Sequence, residues 1–319
     1  MESFSASDST SSCMTILLLR RGCLAGCQGW NYLPVAIILR VLSNPLGNVF
    51  QKQLTNRYNH PLLINFLTFL LLSVFCIIPA IQVRWLELPF EFWKYCILAG
   101  IVGATGNGFL VKALQCGDLS VLGPINSYKS VVGIIVGIFL LGEIPNLWGI
   151  AGMSLIVYGS YYVLDTMDEH FSLALLKRKE IQYRIWAMVL TAIEAVFIKK
   201  IILYSSTTIS FIVWCWFGAI FSFALLFAFK VHLVKEFKRI KIRDISSYFY
   251  LVLCIGTMQY TTNYVFDHME VGYALALFQL STIVSIFLGY RIFKEENITK
   301  KLIGSVIMVA GSVMIILLK

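Results

Sequence analysis

The chain has 319 residues, 58% of them hydrophobic and only 13% charged, with a net charge of +9. A soluble domain carries roughly 45–50% apolar and about 25% charged residues, so composition excludes a soluble enzyme and points to the membrane. The basic residues crowd the ends of apolar runs, which reads as anchoring charge and not as a nucleic-acid surface.

Residues 1–32 combine a Ser/Thr-rich start, a short apolar run from Met14 to Leu19, and Arg20-Arg21. That run is too short to span a bilayer or to serve as a convincing signal, so a disordered tail is expected. Lipid offers no partner for backbone N–H and C=O groups, so a spanning segment must be a helix of about 20 apolar residues. Such stretches fall at 33–54, 61–83, 91–114, 118–141 and 146–164, and then at 184–204, 207–230, 246–266, 271–292 and 298–318. The first contains Asn44-Pro45-Leu46-Gly47, where proline removes a backbone hydrogen bond and predicts a kink. The third carries Gly100, Gly103 and Gly106, and the fourth Gly133-x-x-x-Gly137, flat faces suited to close helix approach. Gly103 to Gly108 has glycines like a phosphate loop but lacks the Gly-Lys-Ser/Thr ending and sits inside an apolar span. The linker 165–183, with Lys177-Arg178-Lys179-Glu180, divides the spans into two sets of five.

Sliding the fourth and fifth spans by 152 residues places Gly137 on Gly289, Glu143 on Glu295, Gly152 on Gly304, Gly159 on Gly311 and Ser160 on Ser312. Upstream the same offset aligns Asp118 with Glu270 and Asn107 with Gln259. An odd number of spans per copy inverts the second copy, so a pseudo-two-fold axis in the membrane plane is expected. Lys and Arg give an orientation as well: setting aside Arg40 and Lys129, 17 lie in the loops after odd-numbered spans or in the span ends that flank them, and seven in the tails or at the other loops. By the positive-inside rule the former are cytoplasmic and both termini outside.

The chemistry-bearing residues are those that lipid does not tolerate. Lys129 and Glu194 fall at mid-depth of the fourth and sixth spans, and Arg40 a third of the way into the first. Two cations and an anion around a cavity would select an anionic or zwitterionic solute; a buried bridge between them would merely fix packing. Gln259 and Asn263 share one helical face, Asn126 lies one turn from Lys129, and Asn107, Gln279 and Thr282 come from neighbouring spans. Such amides serve either a polar solute or interhelical bonding. Trp214, Trp216, Tyr128, Tyr260 and Tyr264 add rings for stacking or packing. Asn297-Ile298-Thr299 fits a glycosylation sequon. Eight cysteines and four histidines lack metal or Cys-His spacing, and no Ser/His/Asp or paired-aspartate set supports an enzyme.

The polar residue in the third span, the Gly/Ala-rich fourth span closing on Gly142-Glu143, and Gly152 and Gly159, repeated at Gly289, Glu295, Gly304 and Gly311, resemble the EamA family of the drug/metabolite transporter superfamily. The resemblance covers about residues 33 to 319. It implies an all-α membrane protein of ten helices in two inverted five-helix repeats, here 33–164 and 184–319, with a central cavity and secondary transport of small metabolites, often by export. The second copy departs from the first at Ala276 for Pro124 and Glu295-Glu296 for Glu143-Ile144. Members of the family are usually described with both termini inside, against the charge count.

The expectation is therefore a multi-pass carrier in the cell (inner or plasma) membrane that moves an amino acid or similar solute by alternating access. Its candidate binding residues are Lys129, Arg40, Glu194, Asn126, Asn107, Gln259, Asn263, Gln279 and Trp214. No cofactor or metal is expected, only protons through Glu194. Its partners would be the solute and the bilayer, not nucleic acid, with a monomer competent and a homodimer open. Rivals are an exporter of lipophilic cations, with Glu194 as the binding charge, and a non-transporting membrane scaffold.

Overall fold

The structure, a computed structural model, describes residues 32–57, 60–117, 119, 125, 128–142, 146–164, 178–294 and 298–317. Asn126, Glu143, Glu295, Asn297, the residues before Tyr32 and linker residues 165–177 lie outside them.

The described residues form long helices in the order α1 (Leu33–Asn56), α2 (Pro61–Phe75, extended by Ile77–Ala80), α3 (Phe90–Cys116), α4 (Tyr128–Leu141), α5 (Leu147–Leu164), α6 (Lys179–Tyr204), α7 (Thr207–Ala228), α8 (Ile242–His268), α9 (Val271–Phe293) and α10 (Ile298–Leu317). Of these, α1, α3, α7 and α9 are long and apolar enough to cross a membrane by length and composition. Helix α2, helix α4 and the described apolar parts of α5 (Leu147–Gly159) and α10 (Lys301–Gly311) are shorter. Helices α6 and α8 are long but carry several charges.

One expectation needs correction. Helix α6 begins at Lys179 and not at 184, so the end of the expected linker is helical. Charged Lys179 and Glu180 mask this start in hydropathy, yet Glu180 in the first turn suits the helix dipole and Ile181 is buried. Pro45 lies buried inside α1, which is one helix from Leu33 to Asn56. The missing N–H leaves one carbonyl of the preceding turn without its helical partner.

Helix contacts are paired. Helix α3 packs on α6 and α8 on α1, α4 on α6 and α9 on α1, α3 on α7 and α8 on α2. Helices α2 and α7, and α5 and α10, pack on each other. Advancing every helix by five places turns each of these contacts into another or into itself. The α5/α10 crossing shows it at atomic scale: a Cβ on Gly159 would lie 2.6 Å from the carbonyl oxygen of Gly304, and one on Gly311 2.6 Å from that of Gly152.

At the polar end of α1, Arg57 donates to Asp244 Oδ1 at 3.0 Å and to Ser247 Oγ at 3.2 Å. Asp244 Oδ2 accepts from the Lys241 N–H at 3.0 Å, closing the first turn of α8. Burial alone would raise the Asp244 carboxyl, but the Lys241 N–H and the Arg57 guanidinium outweigh it and hold the group below its ordinary value. Replacing Asp244 with alanine should therefore cost about 1–3 kcal/mol, seen as a lower unfolding temperature in detergent. A depressed carboxylate stabilises the fold above its unfolded pKa, and this contribution is lost as pH falls through the folded value. Acidification should erase the difference between the two proteins.

Candidate functional site

Helical periodicity builds the site. On α1, Arg40, Asn44 and Asn48 succeed each other at four-residue steps along one face. On α6 the corresponding stripe is Arg184, Ala187, Thr191, Glu194 and Ile198, and on α8 it is Ile255, Gln259, Thr262 and Phe266. These stripes converge with Asn107 of α3, Lys129 of α4, Trp214 of α7 and Phe278 of α9 around a cavity of about 70 Å³.

Glu194 is 5% exposed, and its Oε1 accepts from the Trp214 indole N–H at 2.7 Å. A hydrogen bond to a charged acceptor is roughly twice as strong as a neutral one, so Trp214 fixes this carboxylate. On its other side lies Gly103, where a Cβ would fall 2.2 Å from Oε1. The glycine of α3 thus leaves the space that the carboxylate occupies. Arg40 is 7% exposed; its Nε donates to Thr262 Oγ1 at 2.6 Å, and its guanidinium lies 4.6 Å from the centre of the Phe278 ring. Its Nη1 has no hydrogen-bond partner among the described residues. Lys129 lies within electrostatic reach of Glu194, Arg40 and Arg184. Three cations and one carboxylate therefore meet at one small, buried space.

Of the expected residues, Lys129, Arg40, Glu194, Asn107, Gln259 and Trp214 line this cavity. The pair Asn107 and Gln259, aligned by the 152-residue offset, meets there from α3 and α8. Asn263 does not line it: it is fully buried beside Gln259, and with its amide turned it accepts from the Phe211 N–H at 3.2 Å. Gln279 donates to the Leu275 carbonyl at 3.1 Å within α9 and is also absent from the lining. Both are interhelical or intrahelical polar bonds, the ordinary use of amides in a membrane. Among the other rings, Trp216 packs on Trp85 and Tyr264 on His268.

The sequence pattern of the EamA-like transporter family matches residues 34–164 and again residues 179–317. The chain belongs to that family. It is accordingly a multi-pass membrane protein, and members of the family are transporters and not enzymes. A curated relative, an uncharacterized transporter in the cobO 3' region of Sinorhizobium sp, is 32% identical over 98 residues, covering 29% of this chain and 68% of that protein. A solved crystal structure described without a function superimposes with a TM-score of 0.66 at 17% identity, over 89% of this chain and 97% of that one. At that identity the likeness is one of fold.

Sequence reasoning about this EamA-like transporter missed Arg184, Asn44, Asn48, Thr191 and Thr262. Arg184 was hidden by the late start assigned to the sixth span, which made an inward-facing cation look like an interfacial one. The others had a usable signal: each stands three or four residues from an ionisable residue on the same helix or, for Thr262, from Gln259.

Proposed function

We propose that this transporter is a secondary carrier for a small anionic or zwitterionic solute, such as an amino acid, bound at mid-depth in the Arg40–Lys129–Glu194 cavity. The observation that carries the reading is Arg40. Burying a guanidinium with Nη1 unpartnered is costly, and a carboxylate entering the cavity would supply the missing acceptor. Lys129 adds a second positive charge, Glu194 and Trp214 offer an acceptor and a ring to an ammonium group, and protonation of Glu194 would couple transport to protons. Ten membrane-spanning helices in two inverted repeats, 33–164 and 184–319, would rock about the cavity to expose it alternately, with export across the cell membrane as the direction. The paired helix contacts and the reciprocal glycine crossing of α5 and α10 support that arrangement. A lipophilic cation is the rival solute, favoured by the aromatic flank of Trp214, Phe266 and Phe278 around one carboxylate.

Thermal unfolding in detergent against amino acids, organic acids, nucleosides and quaternary ammonium compounds tests this. A ligand of the folded state at a hundredfold excess over Kd adds about 2.7 kcal/mol. Stabilisation by amino or organic acids, abolished in Lys129→Gln, is the expected result. Stabilisation by quaternary ammonium compounds alone, abolished in Glu194→Gln, would transfer the protein to the rival reading.

A further inference from the structure

A second space, separate from the cavity in every lining residue, lies between the C-terminal half of α3, the start of α2, the start of α6 and the end of α7. It is a largely apolar groove of about 420 Å³. Its floor is the stacked pair Phe109 and Tyr183, with ring centres 6.0 Å apart. Leu62, Leu225 and Phe229 form its walls. Gly108 keeps it open, since a Cβ there would already approach Leu62 Cδ2 to 3.1 Å. Thr105 and Lys112 mark its two ends on α3, about 10 Å apart at the rise of an α-helix. Four and eight residues before Thr105 on the same helix, Ile101 and Ile97 are exposed.

One end is apolar and the other is polar. Lys112 stands in the last turns of α3, its ammonium donating to the uncharged Gln115 Oε1 at 2.7 Å; among the described residues the nearby Glu236 carboxylate pairs with Arg239 at 2.8 Å and not with Lys112. His60 caps α2, its Nδ1 accepting from the Leu62 N–H at 3.3 Å. Burial lowers the His60 pKa, opposed by Glu236 and aided by Lys112. With Nδ1 an acceptor, the proton sits on Nε2 and remains available as a donor. All four helix ends around this polar mouth belong to the side of the molecule whose loops and flanking helix ends hold 17 of the 26 Lys and Arg residues. That is the side facing the anionic cytoplasmic leaflet under the positive-inside rule.

We propose that this groove is a binding site for an anionic phospholipid, one acyl chain lying over Phe109 and Tyr183 and the phosphate held by Lys112 and His60. The apolar length between Thr105 and Lys112 fits a chain and not a polar solute. The charge at the mouth favours a headgroup with net negative charge over a zwitterionic one. Because the groove shares no residue with the cavity, the site stands or falls separately from the solute assignment.

The test is lipid retention by the full-length protein in detergent, measured by native mass spectrometry with phosphatidylglycerol and phosphatidylcholine of identical chains, and with inorganic phosphate. Phosphatidylglycerol should be preferred about fivefold, the effect of one lysine near an anionic headgroup. Lys112→Gln should remove the preference while leaving phosphatidylcholine retention unchanged. Thr105→Trp, which fills the groove from its exposed end, should reduce retention of both lipids. An unaltered unfolding temperature without lipid verifies that each variant is folded; His60→Gln, tested the same way, replaces any variant that is not. Equal retention of the two lipids, a preference that survives Lys112→Gln, or inorganic phosphate competing as well as phosphatidylglycerol would overturn the site.

Discussion

A Gly103→Ala variant is expected to bind solute about ten- to a hundredfold less tightly than the parent, with transport falling in step. The cause is geometric. The added Cβ would stand 2.2 Å from Glu194 Oε1 and 2.7 Å from its carboxyl carbon, far inside ordinary contact. A carboxylate is the mobile end of a side chain and can give way, so the fold should survive. What cannot survive is the 2.7 Å bond from Trp214, because moving Oε1 by about 1 Å takes it out of range. A hydrogen bond to a charged group contributes about 1.5–3 kcal/mol, which sets the expected loss. The check is a double-mutant cycle on unfolding temperature and ligand stabilisation with Glu194→Ala, which empties the space that the new methyl would need. Gly103→Ala should be nearly silent in that background. If it is as harmful there as in the parent, its effect does not run through Glu194, and Gly103 is only a packing residue between α3 and α6.

The same contact explains why the site was half legible in the sequence. Lys129, Arg40 and Glu194 announce themselves because an ionisable group in an apolar span is expensive and must face protein or water. Which amides join them cannot be read from one chain, because Gln259 and Asn263, four residues apart on one helix, look equivalent. Only the packing of α7 separates them: Phe211 takes Asn263 into an interhelical bond and leaves Gln259 at the cavity. Arg184 was lost for a different reason. Hydropathy locates the apolar part of a helix, whereas α6 is built on Lys179 and Glu180 and starts outside it. Trp214 was one aromatic among many, and nothing in its neighbours on α7 indicates that it donates to Glu194 from twenty residues away.

The fold was more legible, because it rests on pattern and not on contact. Glycines kept in register over 152 residues are a stronger sign than identity, since Gly159 and Gly311 each mark a place where two backbones approach. The offset also shows where the halves diverge. It maps Gly103 onto Ile255, and Ile255 does occupy the equivalent α8/α1 crossing, but there the small partner is Gly47, whose Cβ would lie 2.9 Å from Ile255 Cδ1. One crossing places the glycine on α3 and the bulk on α6; the other places the bulk on α8 and the glycine on α1. Glu194 therefore has no counterpart in α1, and the charges of the cavity do not repeat although the helices do.

That distinction gives the second large effect. Gly159→Leu and Gly311→Leu should destabilise the protein to a similar degree, each by about 1–3 kcal/mol or somewhat more, the range for overpacking a close contact. Here the neighbours are backbone carbonyls of the facing helix, 2.6 Å from either added Cβ, so no side-chain rotation relieves the clash and α5 and α10 must separate. Because Gly159 meets Gly304 while Gly311 meets Gly152, each substitution pushes on the same crossing from the opposite helix. Once one has forced the helices apart, the second has less to do, and the double variant should cost clearly less than the two single costs added together. Unfolding temperatures of the three variants in detergent decide the matter. A Gly311→Leu protein as stable as the parent beside a crippled Gly159→Leu, or full additivity in the double variant, would mean that the two glycines sit in independent contacts. The reciprocal crossing of α5 and α10 would then be no working part of the fold.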